Sequence, residues 1–153
     1  MIKATICEIL HDGKLLLQRK AAGRFGEGKW NGPGGKVDPG ETPMEGVIRE
    51  VGEETGLTIL DPDLLGNIDF FFGEKPQPDW TTYVYRVTSF TGRLKPNEEG
   101  EVRWFRIEDI PYEQMWADDI HWLPHLLEGK RVSGTFWFDE KGDNLVRHEL
   151  KVE

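Results

Sequence analysis

The stretch Thr42-Pro43-Met44-Glu45 constrains this chain most, because it fixes where a helix must begin. Thr42 can cap the helix through its hydroxyl. Pro43 fits the first helical position, where its missing N–H would have no partner anyway. Glu45 completes a reciprocal capping box. Gly56 supplies the left-handed stop at the far end. Between these limits Met44, Val47, Ile48 and Val51 recur at i, i+3, i+4 and i+7, which predicts one buried stripe. Glu50, Glu53 and Glu54 form a second stripe beside it.

The second stripe is unfavourable as it stands. Glu53 and Glu54 sit in the last turn, where the helix dipole disfavours anions. Leu57 and Thr58 follow, so no basic residue answers them one turn later. An acidic cluster on a helix is ordinarily a solvated face, but three acids gathered at this end repel one another. Divalent cations with oxygen ligands would relieve that repulsion.

Net charge and composition narrow the field. A net charge of −9 excludes a non-specific nucleic-acid binder, which needs a basic surface. It allows a small anionic substrate if bound cations reverse the local sign. The 153 residues are expected to form a single domain, residues 1–153. No apolar run reaches bilayer length, and Met1 to Ile6 lacks the layout of a signal peptide. Cys7 stands alone, so no internal disulfide can form. A soluble cytoplasmic monomer with no membrane or nucleic-acid partner is expected.

The remaining elements alternate or punctuate clearly. Lys3–Leu10 and Lys14–Gln18 read as strands joined by a turn at His11-Asp12-Gly13. Residues 21–40 read as a long Gly- and Pro-rich loop. Leu64–Phe72, Trp80–Phe90 and Glu101–Ile107 read as strands. Asp118–Leu127 has helical spacing that Pro124 should weaken or bend. Val132–Phe138 and Leu145–Val152 read as a closing hairpin through Lys141-Gly142-Asp143-Asn144. The expected class is α+β, one mixed sheet flanked by helices.

Gly35, Glu41, Arg49, Glu50, Val51, Glu53, Glu54, Gly56 and Leu57 match every defined position of the Nudix box, G-x5-E-x7-R-E-U-x-E-E-x-G-U. On those residues the chain resembles a Nudix hydrolase. The resemblance implies an α/β/α sandwich with a mixed β-sheet between helices, and metal-dependent attack of water on phosphorus with Mg2+ or Mn2+. It implies that Glu50, Glu53 and Glu54 hold metal, with the Gly35 carbonyl as a further ligand. Arg49 would orient the carboxylates by a bidentate pair, and Glu41 would brace the loop, with Arg49 as its partner. The general base is left between Glu53 and an acid of the segment Asn97-Glu98-Glu99-Gly100-Glu101. Glu99 is favoured there, and would also serve the metal.

Outside the box the chain resembles the oxidised purine nucleoside triphosphatase branch of that family. Three stretches carry this: GRFGEGKWNGPGGKV, IPYEQMWADDIHWLP and RVSGTFWFDEKGDNLVRHELKVE. That likeness implies hydrolysis of 8-oxo-dGTP and its relatives to the monophosphate and pyrophosphate, sanitising the nucleotide pool and preventing DNA damage. It places Asn31, Asp118 and Asp119 at the base edge, Phe25 and Trp116 as pocket walls, and Thr5 at a polar position on the first strand. Read alone, Asp118-Asp119 is first of all a helix N-cap, an order that the surrounding likeness reverses. Trp30 is assigned to the core rather than to the pocket wall. Pro33 stands where that branch carries an aromatic or larger residue, and the stretch between Leu17 and Phe25 is one residue longer. Two other readings stay open: a housekeeping pyrophosphatase acting on a nucleoside diphosphate sugar, and a non-catalytic nucleotide sensor.

Overall fold

A β-hairpin that fails to stay closed organises the fold. In the computed structural model, which describes residues 1–95 and 100–153, β1 (Ile2–His11) and β2 (Lys14–Lys20) meet through Asp12 and Gly13, at φ 50° and 72°. Two consecutive left-handed residues match the strand twist, as a two-residue hairpin requires. The strands pair only at Leu10–Leu15 and His11–Lys14, then splay apart. The chain from Trp30 to Val37 fills the wedge. On one side β3 (Trp30–Asn31) pairs with Arg19 and Gln18 of β2. On the other, Cys7 N–H donates to Pro33, Thr5 N–H to Gly35, and Val37 N–H to the Lys3 carbonyl.

Around this split the sheet runs β10-β9-β5-β6-β1-β2-β3, with β8 (Gly100–Arg106) on the other edge of β2. The strands β5 (Asp63–Phe72), β6 (Trp80–Val87), β9 (Val132–Phe138) and β10 (Leu145–Val152) complete it. The β1–β6 and β5–β9 pairs are parallel and the rest antiparallel, so the sheet is mixed. Helix α1 (Pro43–Thr55) covers one face, where Val47 and Val51 join Cys7, Ile9, Leu16 and Tyr85. Helix α2 (Asp119–Leu127) covers the other, where Trp122, Leu123 and Leu126 join Leu15, Leu17, Ile68 and Phe136. Trp30 is buried in this second core, edge-on to Phe105, as the sequence suggested. Pro124 lies inside α2 without ending it, since the three buried side chains around it hold the helix down.

Three expectations need correction. Met44 and Ile48 are each 37% exposed, so the buried face of α1 is narrower than its apolar spacing suggested. Its inner side consists of Gly46, Val47, Val51, Glu54 and Thr55. The single strand expected over Trp80–Phe90 is two. The chain leaves the main sheet after Val87, and β7 (Ser89–Gly92) pairs instead with β4 (Leu57–Leu60), which follows α1 directly. The loop over residues 21–40 contains β3, too short to carry a pattern of its own.

The ends of α1 form as their residues dictate. Thr42 Oγ1 accepts from Glu45 N–H at 3.1 Å, and Glu45 Oε1 accepts from Thr42 N–H at 2.9 Å. Gly56, at φ 82°, donates its N–H to Gly52. Thr42→Ala is expected to lower stability by about 1 kcal/mol, or roughly 2–4 °C in Tm for a domain of this size. An unchanged melting curve would show that the box does not hold the helix start.

Candidate active site

A cleft of about 650 Å3 opens where the sheet splits, with the acidic end of α1 at one end and the start of α2 at the other. Glycines allow its floor to form. A Cβ on Gly34, at φ 155°, would lie 2.1 Å from the Thr5 carbonyl oxygen. One on Gly35 would lie 2.7 Å from the Glu50 carboxylate. The loop can therefore lie flat on β1 and against α1 only without side chains at these positions.

Arg49 organises the acidic end. Its Nε and Nη2 form a two-pronged bond to Glu41 at 3.1 and 2.7 Å, and Nη2 also reaches the Lys36 carbonyl. Nη1 lies 2.9 Å from Glu50 and 3.3 Å from Glu53. The hydrogen bonds from Arg49 hold Glu41 below the usual carboxylate range. The bidentate partner is thus Glu41, while Glu50 and Glu53 share one nitrogen.

The three stripe acids differ in depth. Glu53 is 60% exposed, Glu50 19% and Glu54 3%. Glu54 Oε1 accepts from Gly34 N–H at 3.1 Å, and Lys20 lies 3.9 Å away. Burial pushes the Glu54 carboxyl up to about 8. Lys20 pulls it back, while the charge of Glu50 and a hydrogen bond shared with Glu50 add to the rise. Among the described residues no three acids are drawn close enough to hold an ion as they stand. Arg49 engages Glu50 and Glu53, and burial favours a proton on Glu54. The oxygen-only set fits a hard divalent ion, which would take the place of that proton. The Gly35 carbonyl, the further ligand that the sequence offered, is engaged with β1. It already accepts from Thr5 N–H at 2.8 Å and from the Thr5 hydroxyl at 3.3 Å. Glu99 lies outside the described residues.

At the other end the cleft is aromatic. Phe25, 63% exposed, lies between Trp80 and Trp116, with ring centroids at 6.0 and 5.3 Å. Phe72 and Phe138 line the same space, and Gly142 of the closing hairpin packs directly on Trp116 and Phe72. Asn31 lines the floor, its Oδ1 accepting from Gly32 N–H. Thr5 lines it too, although its hydroxyl is engaged with Gly35. Asp118 and Asp119 also face the cleft, and both are nearly fully buried. Neither reads as an N-cap. Asp118 has helical dihedrals and makes no side-chain capping bond; it accepts instead from the Trp122 indole at 2.8 Å. Burial pushes Asp118 up to about 6, the indole bond opposing the rise. Burial, and then the charges of Asp118 and Glu8, push Asp119 well above the usual range.

The sequence expectations thus meet in one cleft. Arg49 stands just behind it, holding Glu50 and Glu53. Trp80, Phe72, Phe138, Lys20 and Lys36 were not singled out. Trp80 is invisible locally, because it reaches the site through strand pairing with Ile2 and Phe70. Lys20, two residues beyond the buried Gln18, faces Glu54 only because β2 has splayed from β1.

Residues 1–126 match the NUDIX domain. An oxidized purine nucleoside triphosphate hydrolase of Danio rerio is 42% identical over 147 residues, covering 95% of this chain and 92% of that protein. The protein of the same name from Mus musculus is 35% identical, covering 96% and 92%. Among solved structures, a MutT protein from Bacillus halodurans superposes with a TM-score of 0.88 at 28% identity, over 99% of this chain and 98% of that one. Hydrolases of this kind use divalent metal ions and act on small nucleotides. The matched residues, the sandwich fold and the split-sheet cleft agree, and the chain belongs to the Nudix family of hydrolases.

Proposed function

We propose that this protein, as a single catalytic domain over residues 1–153, hydrolyses oxidised purine nucleoside triphosphates, 8-oxo-dGTP among them, to the monophosphate and pyrophosphate. The pairing of two buried acids, Asp118 and Asp119, with the Trp116 face in one cleft carries the reading. Oxidation at C8 turns the purine N7 from an acceptor into an N–H donor. A carboxylate beside it accepts that hydrogen bond, and a neighbouring carboxyl that keeps its proton donates to a purine oxygen. Trp116 offers a stacking face and Asn31 an amide. The two relatives named for oxidised purine triphosphates support the same substrate class.

Glu50, Glu53 and Glu54 would hold Mg2+, or Mn2+ in its place. Such an ion supplies charge neutralisation on the pyrophosphate oxygens and a more acidic attacking water. Arg49 orients Glu50 and Glu53. Glu53, the most exposed of the three, is the candidate base, with Glu99 the alternative from the sequence. Lys20 and Lys36 line the cleft, where they can meet phosphate oxygens.

Rates with Mg2+ on 8-oxo-dGTP, dGTP and ADP-ribose test the reading. The oxidised triphosphate is expected to lead dGTP by at least about tenfold in kcat/KM, by the cost of one lost buried hydrogen bond. ADP-ribose as the best substrate would overturn it. Glu53→Gln is expected to keep the melting curve and lose at least about a hundredfold in kcat. A variant retaining a tenth of the rate would remove Glu53 from the chemistry.

A second test follows from the Glu54 carboxyl at about 8. At pH 7 it holds a proton that a metal ligand must give up. Adding Mg2+ in weak buffer is expected to release close to one proton per chain at pH 7. The release should shrink as pH rises through 8, where Glu54 is already ionised. Glu54→Gln should abolish it. Binding without proton release in the wild type would show that Glu54 is not a ligand.

A further inference from the structure

We infer that Asp79 is a positioning residue for base binding: by accepting the Phe72 N–H, its carboxylate closes the turn between β5 and β6 and fixes Phe72 and Trp80 as walls of the aromatic end of the cleft. This rests on the reading that a base lodges at that end.

The need for such a residue comes from strands of unequal reach. β5 pairs with β9 as far as Phe72–Phe138, whereas its pairing with β6 ends at Phe70–Trp80. Phe72 therefore overshoots β6, and its N–H turns to an edge where no strand can accept it. Asp79 fills the gap. Its Oδ2 accepts from Phe72 N–H at 2.8 Å, and its Oδ1 meets the Lys75 ammonium within the turn at 2.5 Å. Its own N–H donates to the Phe70 carbonyl at 2.9 Å, and its carbonyl accepts from Ile2 N–H at 2.9 Å. One residue thus ties together the end of β5, the start of β1 and the turn over residues 73–79. Burial works against the charge, but Lys75 and the Phe72 N–H hold the Asp79 carboxyl below the usual range, so an ionised acceptor faces Phe72 at neutral pH.

The two residues next to these bonds are cleft walls. The Phe72 ring stacks on Phe138 with centroids 5.5 Å apart, and stands edge-on to Phe25 and Trp116 at 5.9 and 6.0 Å. Trp80 follows Asp79 directly in the chain. Its ring lies 18° from the plane of Phe25, and the Lys36 ammonium sits 5.8 Å from its centroid. Phe25 in turn lies 28° from the plane of Trp116. The Asp79 side chain is 24% exposed and stands behind this array, so it acts on a ligand through Phe72 and Trp80. A wall that tilts loses contact over its whole ring face. The acidic end of α1 hangs instead on Arg49 and on the loop from Trp30 to Val37. Loss of the carboxylate should therefore reach base affinity and spare the chemistry.

The test compares wild type with Asp79→Asn, which keeps an oxygen for the Phe72 N–H, and with Asp79→Ala and Asp79→Leu, which remove it. All are checked for cooperative melting; Asp79→Leu keeps the side-chain shape and serves if Asp79→Ala does not fold. Binding of 8-oxo-dGMP is measured, together with KM and kcat for 8-oxo-dGTP and inhibition by inorganic pyrophosphate with Mg2+. Asp79→Ala and Asp79→Leu are expected to weaken 8-oxo-dGMP binding and raise KM by about three- to tenfold, the range of one aromatic stacking contact. Their kcat and pyrophosphate inhibition should stay within about twofold of wild type, and Asp79→Asn should bind 8-oxo-dGMP within about twofold as well. A lower melting temperature with unchanged binding would overturn the inference and leave Asp79 a turn residue only. Asp79→Asn binding as weakly as Asp79→Ala would overturn it too, because the bond to Phe72 would then carry nothing. Trp116→Ala tells this failure from that of the base reading. If Trp116→Ala binds 8-oxo-dGMP weakly while the Asp79 variants bind normally, the inference alone falls. If Trp116→Ala also binds normally, the base does not lodge at the aromatic end, and the base reading falls with the inference.

Discussion

The structure depends on the parting of β1 from β2 after two residue pairs, which opens a wedge that backbone hydrogen bonds from Trp30 to Val37 then fill. The wedge solves a packing problem. A loop crossing the middle of a sheet would bury unpaired N–H and carbonyl groups. Here the loop bonds to both parted strands and behaves as a strand without being regular. Gly34 makes this possible, since any Cβ there would collide with Thr5. The same contact turns the Gly34 N–H toward Glu54 and brings Gly35 against Glu50. One irregular strand thus meets an acidic helix and lines the same cleft as an acidic pair.

The two ends of the cleft handle buried charge differently. At α1 a guanidinium shares itself among Glu41, Glu50 and Glu53, and burial favours a proton on Glu54. Repulsion along the stripe is thereby relieved in a form that a divalent ion can displace. At α2 the cation stacked over Trp116 is an ammonium, that of Lys29. Asp118 and Asp119 are buried with the Trp122 indole bonded to Asp118, and burial holds both carboxyls above the usual range. The first end suits pyrophosphate chemistry and the second suits reading a purine edge whose donors and acceptors change on oxidation.

Much of this was legible in the chain. The limits of α1 followed from Thr42, Glu45 and Gly56, whose effects are local. The acid stripe was legible because three like charges at a helix end demand a reason. The burial of Glu54 against the exposure of Glu53 was not, since spacing along a helix does not say how deep each turn sits. Met44 and Ile48 misled for the same reason. Trp80 was missed because its place comes from strand register, through Ile2 and Phe70. The two bonds from Thr5 to the Gly35 carbonyl were not legible either, since they arise from β1 lying against a loop distant in sequence.

The most direct test is a crystal grown with Mn2+ and a nucleotide product, with the ion placed by its anomalous scattering. The account requires the ion at about 2.1 Å from carboxylate oxygens of Glu50, Glu53 and Glu54, with Arg49 still held by Glu41. An ion bound elsewhere, with Glu50 and Glu53 still turned to Arg49, would contradict it.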